Sequence, residues 1–170
     1  MAATTNSASF ESLRVRHAAS HDVVPLTRLI NAAFVVESVV FDGDRVDAHK
    51  VRRYMETGTF LLLENGADLA GCVYVEIQGV FAYLGLLSVD PSRQRSGLGR
   101  KLVTAAEDFA RAKGCQRMDL RVISQRAQLL PFYQRLGYTE TGTAPFAPNL
   151  ATKVPSHYIL LAKALSDSHL

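Results

Sequence analysis

Apolar positions recur along this chain with two periods, and the switches between them mark its elements. Leu13-Arg14-Val15-Arg16 alternates apolar and charged, the pattern of a short strand. Ser20 or Asp22 is suited to cap a helix, and Leu26, Leu29, Ile30, Ala33 and Phe34 then share one helical face, with Pro25 tolerated near the start. A polar break at Asp42-Gly43-Asp44 precedes a weaker helix over residues 45–56, stopped by Gly58. Three β-type runs follow at residues 59–64, 69–77 and 81–89. Asn65-Gly66 offers a hairpin turn between the first two, and Asp90-Pro91 closes the third. The clearest helix carries Leu98, Leu102, Ala105, Ala106, Phe109 and the stem of Lys113 on one face, and Gly114 ends it. Residues 118–123 form a strand candidate. Leu129, Phe132, Tyr133 and Leu136 then mark a short helix ended by Gly137, in which Pro131 demands either a late start or a kink. Two further strands are expected at 138–146 and 157–162. The order β-α-α-β-β-β-α-β-α-β-β predicts one mixed α/β (α+β) domain over residues 12–168, preceded by a flexible polar tail, residues 1–11.

Composition agrees with a folded domain. The chain has 170 residues, 48% hydrophobic and 21% charged. A chain of this size buries roughly 70% of its unfolded surface, so no covalent or metal staple is required. The two cysteines, Cys72 and Cys115, form no CxxC and have no histidine at ligand spacing, which argues against a disulfide scaffold or a metal site and suits a reducing compartment. Residues 1–9 lack the charge and apolar core of a signal peptide, and no apolar run reaches the ~20 residues of a membrane span. A cytoplasmic protein without a membrane partner is expected. The net charge of +3 is too small to name a partner. Arg111, Lys113, Arg117, Arg121 and Arg126 have no aromatic residues interleaved for base stacking, so nucleic acid is not expected either.

The sharpest local feature is Val89-Asp90-Pro91-Ser92-Arg93-Gln94-Arg95-Ser96-Gly97-Leu98-Gly99-Arg100-Lys101-Leu102. A strand ends, a basic loop follows, and two glycines open the long helix. The first N–H groups of a helix have no internal partner and sit at its positive end, and glycine lets an anion approach the backbone. Four cations lie here, and in sequence no acid falls between Asp90 and Glu107. Removing Arg93, Arg95, Arg100 and Lys101 turns 19 basic residues against 16 acidic into 15 against 16, so the whole positive excess can be assigned to this loop. The pattern is neither GxxxxGK[ST] nor GxGxxG, which disfavours a nucleoside-triphosphate loop and a dinucleotide fold.

Gln94-x-x-Gly97-x-Gly99 after the strand end resembles the acetyl-CoA motif Q/R-x-x-G-x-G/A of GNAT-type (Gcn5-related) N-acetyltransferases, and Phe132-Tyr133-Gln134-Arg135-Leu136-Gly137-Tyr138 is similar to that family's FYxxxGF segment. The resemblance implies a single GNAT-like domain: a six- to seven-stranded, mostly antiparallel mixed sheet with about four helices, splayed at the central cofactor strand. It implies acetyl-CoA as cosubstrate, no metal, and an N-acetyltransferase moving an acetyl group to a small-molecule or peptide amine by direct transfer in a ternary complex. A non-catalytic acyl-CoA-binding module is the alternative. Monomer and homodimer are both compatible.

On the same resemblance, backbone N–H groups of residues 95–100 would take the pyrophosphate, and Leu87, Ser88 and Val89 would pair with the pantetheine arm. The cofactor residues are then Leu87, Ser88, Val89, Gln94, Arg95, Ser96, Gly97, Leu98, Gly99, Arg100 and Lys101, with Gly85 suited to a bulge. Tyr133 matches the family's general acid, its phenol being protonated at neutral pH. For the general base, Glu76 stands on the strand before the cofactor strand, Glu37 where the first helix meets the substrate-side loop, and His157 at the start of the last strand. Two positions depart from the family: Arg126 stands where many members have a cofactor-touching Asn, and Arg121 where ribosomal-protein alanine acetyltransferases have their catalytic Glu, so their substrate does not carry over. Cys72 and Cys115 are expected to be core residues rather than nucleophiles.

Overall fold

The alternating run over residues 81–89 becomes the middle strand of the sheet. The computed structural model describes residues 13–94 and 96–165. Among these, β1 (Leu13–His17), β2 (Thr59–Asn65), β3 (Asp68–Gln78), β4 (Phe81–Val89), β5 (Arg117–Ile123), β6 (Thr139–Pro145) and β7 (His157–Ala164) form one sheet in the order β1-β2-β3-β4-β5-β7-β6. The helices are α1 (Val23–Phe34), α2 (Ala48–Thr57), α3 (Leu98–Ala112) and α4 (Leu130–Arg135). Element order and type follow the expectation. The tail over residues 1–11 lies outside the described residues.

Both faces of the sheet are buried, which explains why β2 and β3 read as near-continuous apolar runs. Leu61 and Leu63 of β2, with Val73 and Val75 of β3, pack beneath Leu102, Val103 and Ala106 of α3. Their neighbours Phe60, Leu62, Cys72 and Tyr74 point the other way, onto Leu26 and Ile30 of α1 and Val51 of α2. The seat of α3 is set by Gly71, where a Cβ would come within 2.8 Å of Leu102 Cδ1 and 2.9 Å of the Ser88 carbonyl.

β4 and β5 are parallel and pair only over Phe81–Tyr83 and Arg117–Asp119, while β5 pairs along its whole length with β7. From Leu84 onward the β5-facing edge of β4 has no strand partner among the described residues. A bulge contributes to this parting. Tyr74 opposes Gly85 and Cys72 opposes Ser88, so β4 carries one extra residue, which bends a strand and increases its twist. The expected bulge is present, but its positive φ falls on Leu86, at +49°, and not on Gly85. Ser88 Oγ donates to the Leu86 carbonyl at 2.9 Å and so braces the turn. Gly85 answers a different need: a Cβ there would lie 2.8 Å from Tyr83 Cε1.

Two connections matter for the site. α1 tightens into a 3-10 turn, Val35–Val39, a feature the periodicity does not announce, and this turn carries Glu37 into the interior. After β5 a 3-10 stretch, Ser124–Leu129, precedes α4, so Pro131 falls in the first turn of a helix that starts late.

Candidate active site

The basic loop arrives at the N-terminus of α3 with little to neutralise it. Gly97 is the N-cap at φ +80°, a conformation glycine adopts without strain, and among the described residues no side chain caps the helix. α2 differs, since Asp47 accepts from the Lys50 N–H at 2.7 Å. The first intrahelical bond of α3 runs from the Lys101 N–H to the Gly97 carbonyl, leaving the N–H groups of the first turn available. Space beside Gly97 is open, and a Cβ on Gly99 would just touch Phe132 Cζ at 3.4 Å. Arg100 and Lys101 are exposed and, among the described residues, have no acidic partner within ion-pair distance. The Leu98 side chain is buried in the core, so its backbone alone can serve a ligand.

Contacts within the fold engage several of these side chains. Arg93 is not a free cation: its guanidinium lies 3.4 Å from Asp68 at the start of β3 and 3.9 Å from Asp90. The assignment of the whole positive excess to the loop is therefore corrected by an acid that is distant in sequence. Gln94 Nε2 donates to the Val89 carbonyl at 3.3 Å, occupying one backbone acceptor of β4, and Ser96 Oγ donates to the Arg93 carbonyl. Ser88 is buried with its hydroxyl committed to the bulge. Arg95 lies outside the described residues.

Where β4 leaves β5, a cleft of about 460 Å³ opens between them, within the range of small-molecule sites. Leu87, Glu37 and Tyr133 all line it, so three of the residues singled out from sequence meet here. Phe132, which bounds Gly99, is in edge-to-face contact with Tyr133 at 5.0 Å, so the cleft tyrosine and the α3 N-terminus are separated by one ring. Tyr133 is 7% exposed, and burial pushes its phenol above the ordinary tyrosine value, against the pull of Arg126. Its hydroxyl has no hydrogen-bond partner among the described residues. It is a protonated donor facing a cavity.

Glu37 is 8% exposed. Burial raises its pKa, while Arg45 and Arg126 pull the other way. Arg126 Nη1 lies 3.6 Å from Glu37 Oε1 and Arg45 Nε lies 4.0 Å from Oε2. A carboxylate whose affinity for a proton is raised by burial, with guanidinium groups opposing that shift, is suited to accept a proton. Glu76 is not among the residues lining the cleft. It pairs across from Tyr83 on β4 and accepts a hydrogen bond from Tyr74 Oη at 3.3 Å. His157 is exposed at the edge of β7, outside the cleft lining, with its backbone N–H donating to Ser124 Oγ. Both cysteines are buried; burial pushes Cys72 up to about 12 and raises Cys115, so neither is a thiolate at neutral pH.

The cleft also gathers residues that the sequence did not bring together. Arg45, Lys50 and Arg121 line it beside Arg126, with the rings of Tyr83 and Tyr158. In the sequence Arg121 and Arg126 stand out as departures from a motif and as members of a basic set, with nothing to place them in one cleft. Arg45 and Lys50 sit in a polar stretch that carries no periodic signal of a site.

The sequence model of the Acetyltransferase (GNAT) family matches residues 26–138. Mycothiol acetyltransferase of Clavibacter michiganensis subsp. michiganensis is 37% identical over 82 residues, covering 47% of this chain and 27% of that protein. Streptothricin acetyltransferase of Streptomyces lavendulae is 30% identical over 89 residues, 51% of this chain and 47% of that protein. The chain thus spans less than half the length of either relative. Among solved structures, yncA of Salmonella typhimurium with its cofactor acetyl-CoA superposes with a TM-score of 0.73 at 21% identity, covering 94% of this chain and 98% of that chain. The ribosomal-protein-S18-alanine N-acetyltransferase of Escherichia coli gives 0.72 at 18% identity, covering 92% and 96%.

Proposed function

The chain belongs to the Acetyltransferase (GNAT) family, and from that premise we propose that it is an N-acetyltransferase carrying an acetyl group from acetyl-CoA directly to a primary amine within a ternary complex. The observation that carries this reading is the parting of β4 from β5 one ring away from an uncapped helix N-terminus. An acyl-thioester donor needs an anchor for its pyrophosphate and a slot for its arm, and the residues present fit both. The first-turn N–H groups of α3, with Arg100 and Lys101, would hold the phosphates, and the unpaired edge of β4 at Leu87 would take the arm. When bound, acetyl-CoA supplies an activated acyl carbon.

The chain's own groups account for the two protons. As the new C–N bond forms and the C–S bond breaks, the amine must lose a proton and the sulfur must gain one. Glu37 accepts the first at its carboxylate, in a cleft that favours its neutral form more than water does. Tyr133 holds the second at Oη. The buried, protonated cysteines favour direct transfer over an acyl-cysteine route.

Purified protein mixed with acetyl-CoA and a diverse panel of amines is expected to release free CoA with a subset of them, and acetyl-CoA is expected to bind in calorimetry. Tight binding with no turnover on a broad panel would favour an acyl-CoA-binding module. Absence of binding, unchanged by Gly97→Glu, would remove both readings.

A further inference from the structure

Resting on the acetyltransferase reading, we propose that the acceptor amine is a small molecule that also bears a carboxylate, held by Arg121 and Arg126 at the acceptor side of the cleft. The cleft walls contribute three guanidinium groups and Lys50, and one buried carboxylate, Glu37, reaches two of the guanidinium groups. That carboxylate is shared at 3.6 Å with Arg126 and 4.0 Å with Arg45, both longer than a direct hydrogen bond. Nε of Arg45 and Nε of Arg126 are buried with no hydrogen-bond partner among the described residues. The other acids of the lining do not balance this charge. Asp42 is exposed and bound at 3.0 Å by Lys153, and Asp44 is exposed at the rim.

Arg121 is the most telling of the group. It is exposed at the cleft, and its guanidinium carbon lies 4.3 Å from the Tyr158 ring centroid and 5.6 Å from that of Tyr83, so two rings flank it. No carboxylate among the described residues lies within ion-pair distance of it. The ring contacts position the planar group and no carboxylate among the described residues takes its N–H donors, which suits recognition of a ligand carboxylate. A cluster of fixed guanidinium groups repels a polycationic acceptor and favours one whose own anion offsets its ammonium. The N-terminus of α3 is not part of this cleft lining, so the cluster stands apart from the residues suited to the donor's pyrophosphate.

The test uses the full chain with acetyl-CoA, the L-amino acids, their carboxamides and spermidine. CoA release is followed in wild type, Arg121→Gln and Arg121→Lys, alongside calorimetry of the same compounds without acetyl-CoA. At least one amino acid is expected to exceed its carboxamide in kcat/KM by about ten- to a hundredfold, the range for hydrogen bonds to charged groups. Arg121→Gln is expected to erase that preference through KM for the acceptor, with KM for acetyl-CoA unchanged, and Arg121→Lys to restore part of it. Equal or better turnover of carboxamides or spermidine overturns the proposal and leaves acetyl transfer standing. A rise in KM for acetyl-CoA instead overturns it by assigning Arg121 to the donor. Carboxylate binding that Arg121→Gln abolishes, with no turnover of any compound, upholds the anion site and removes acetyl transfer. Neither binding nor turnover overturns the proposal.

Discussion

Replacing Tyr133 with Phe deletes one oxygen, and the structure separates what that atom does for stability from what it does for chemistry. The ring lies against Phe132 at 5.0 Å and Tyr138 at 5.9 Å, contacts that phenylalanine keeps. The hydroxyl has no hydrogen-bond partner among the described residues, so none is lost. Removing an unpaired, largely desolvated hydroxyl changes stability by about 1 kcal/mol or less, in the stabilising direction. For a domain of this size that corresponds to a Tm shift of roughly 0–4 °C. If the oxygen protonates a departing sulfur, however, kcat should fall by about 10²- to 10⁴-fold, or about 3–5 kcal/mol in the barrier. KM for acetyl-CoA should change little, because the suited anchor is the α3 backbone. The assay is CoA release with the best acceptor from the panel, paired with a thermal melt. A kcat within about threefold of wild type and an unchanged melt would refute the acid role and leave Tyr133 as a core ring. A large Tm loss would refute the packing argument instead.

The other predictions concern the base, the anion loop and the acid stability of the fold. Glu37→Gln should lower kcat/KM by about 10²-fold or more and flatten the low-pH limb of the rate profile, whose midpoint in wild type should lie above an ordinary carboxylate because burial raises Glu37; an unchanged profile would give the base role to another group. A Cβ on Gly97 meets no neighbour within 4 Å, and the backbone strain of Gly97→Glu at φ +80° costs on the order of 1 kcal/mol. The variant should therefore fold, while its carboxylate at the α3 N-terminus raises the Kd for acetyl-CoA by about tenfold or more, read by calorimetry. Asp22 accepts from Arg16 Nη1 and Nη2, each at 2.8 Å, and these bonds lower its pKa from 3.8 to about 2. A group depressed in the folded state stabilises above its unfolded pKa and loses that stabilisation as pH falls through the folded one. Asp22→Asn should thus cost about 1–2 kcal/mol at pH 7, after allowing for the partly exposed Arg16. That deficit should fade between about pH 4 and 2, a trend that melts across this window would check.

The places where sequence and structure diverge share a cause, which is sequence separation. The α3 loop is legible because its parts are contiguous: strand end, glycines and helical stripe lie within residues 89–112, and Gly97 takes the left-handed cap position itself. Its charge was not legible, because the acid that neutralises Arg93 comes from Asp68, across the β2–β3 turn. Spacing offers Glu76 and Glu37 as bases on similar terms. Only the 3-10 turn after α1 carries Glu37 into the cleft, while pairing with β4 leaves Glu76 beside the Tyr74 hydroxyl.

By itself the sequence determined the order and kind of the elements, the open N-terminus of α3 and the motif that singles out Tyr133. Those are properties of local periodicity, backbone freedom and contiguous residues. Tertiary structure decided that β5 pairs with β7 and leaves β4 after Tyr83, that the extra residue of the bulge strains Leu86 and not Gly85, and that Arg45 and Arg126 converge on the Glu37 carboxylate in a cleft that Arg121 also lines. Strand pairing and charge convergence depend on which distant segments close upon one another. No local pattern carries that information, and the cleft exists only once the sheet has assembled.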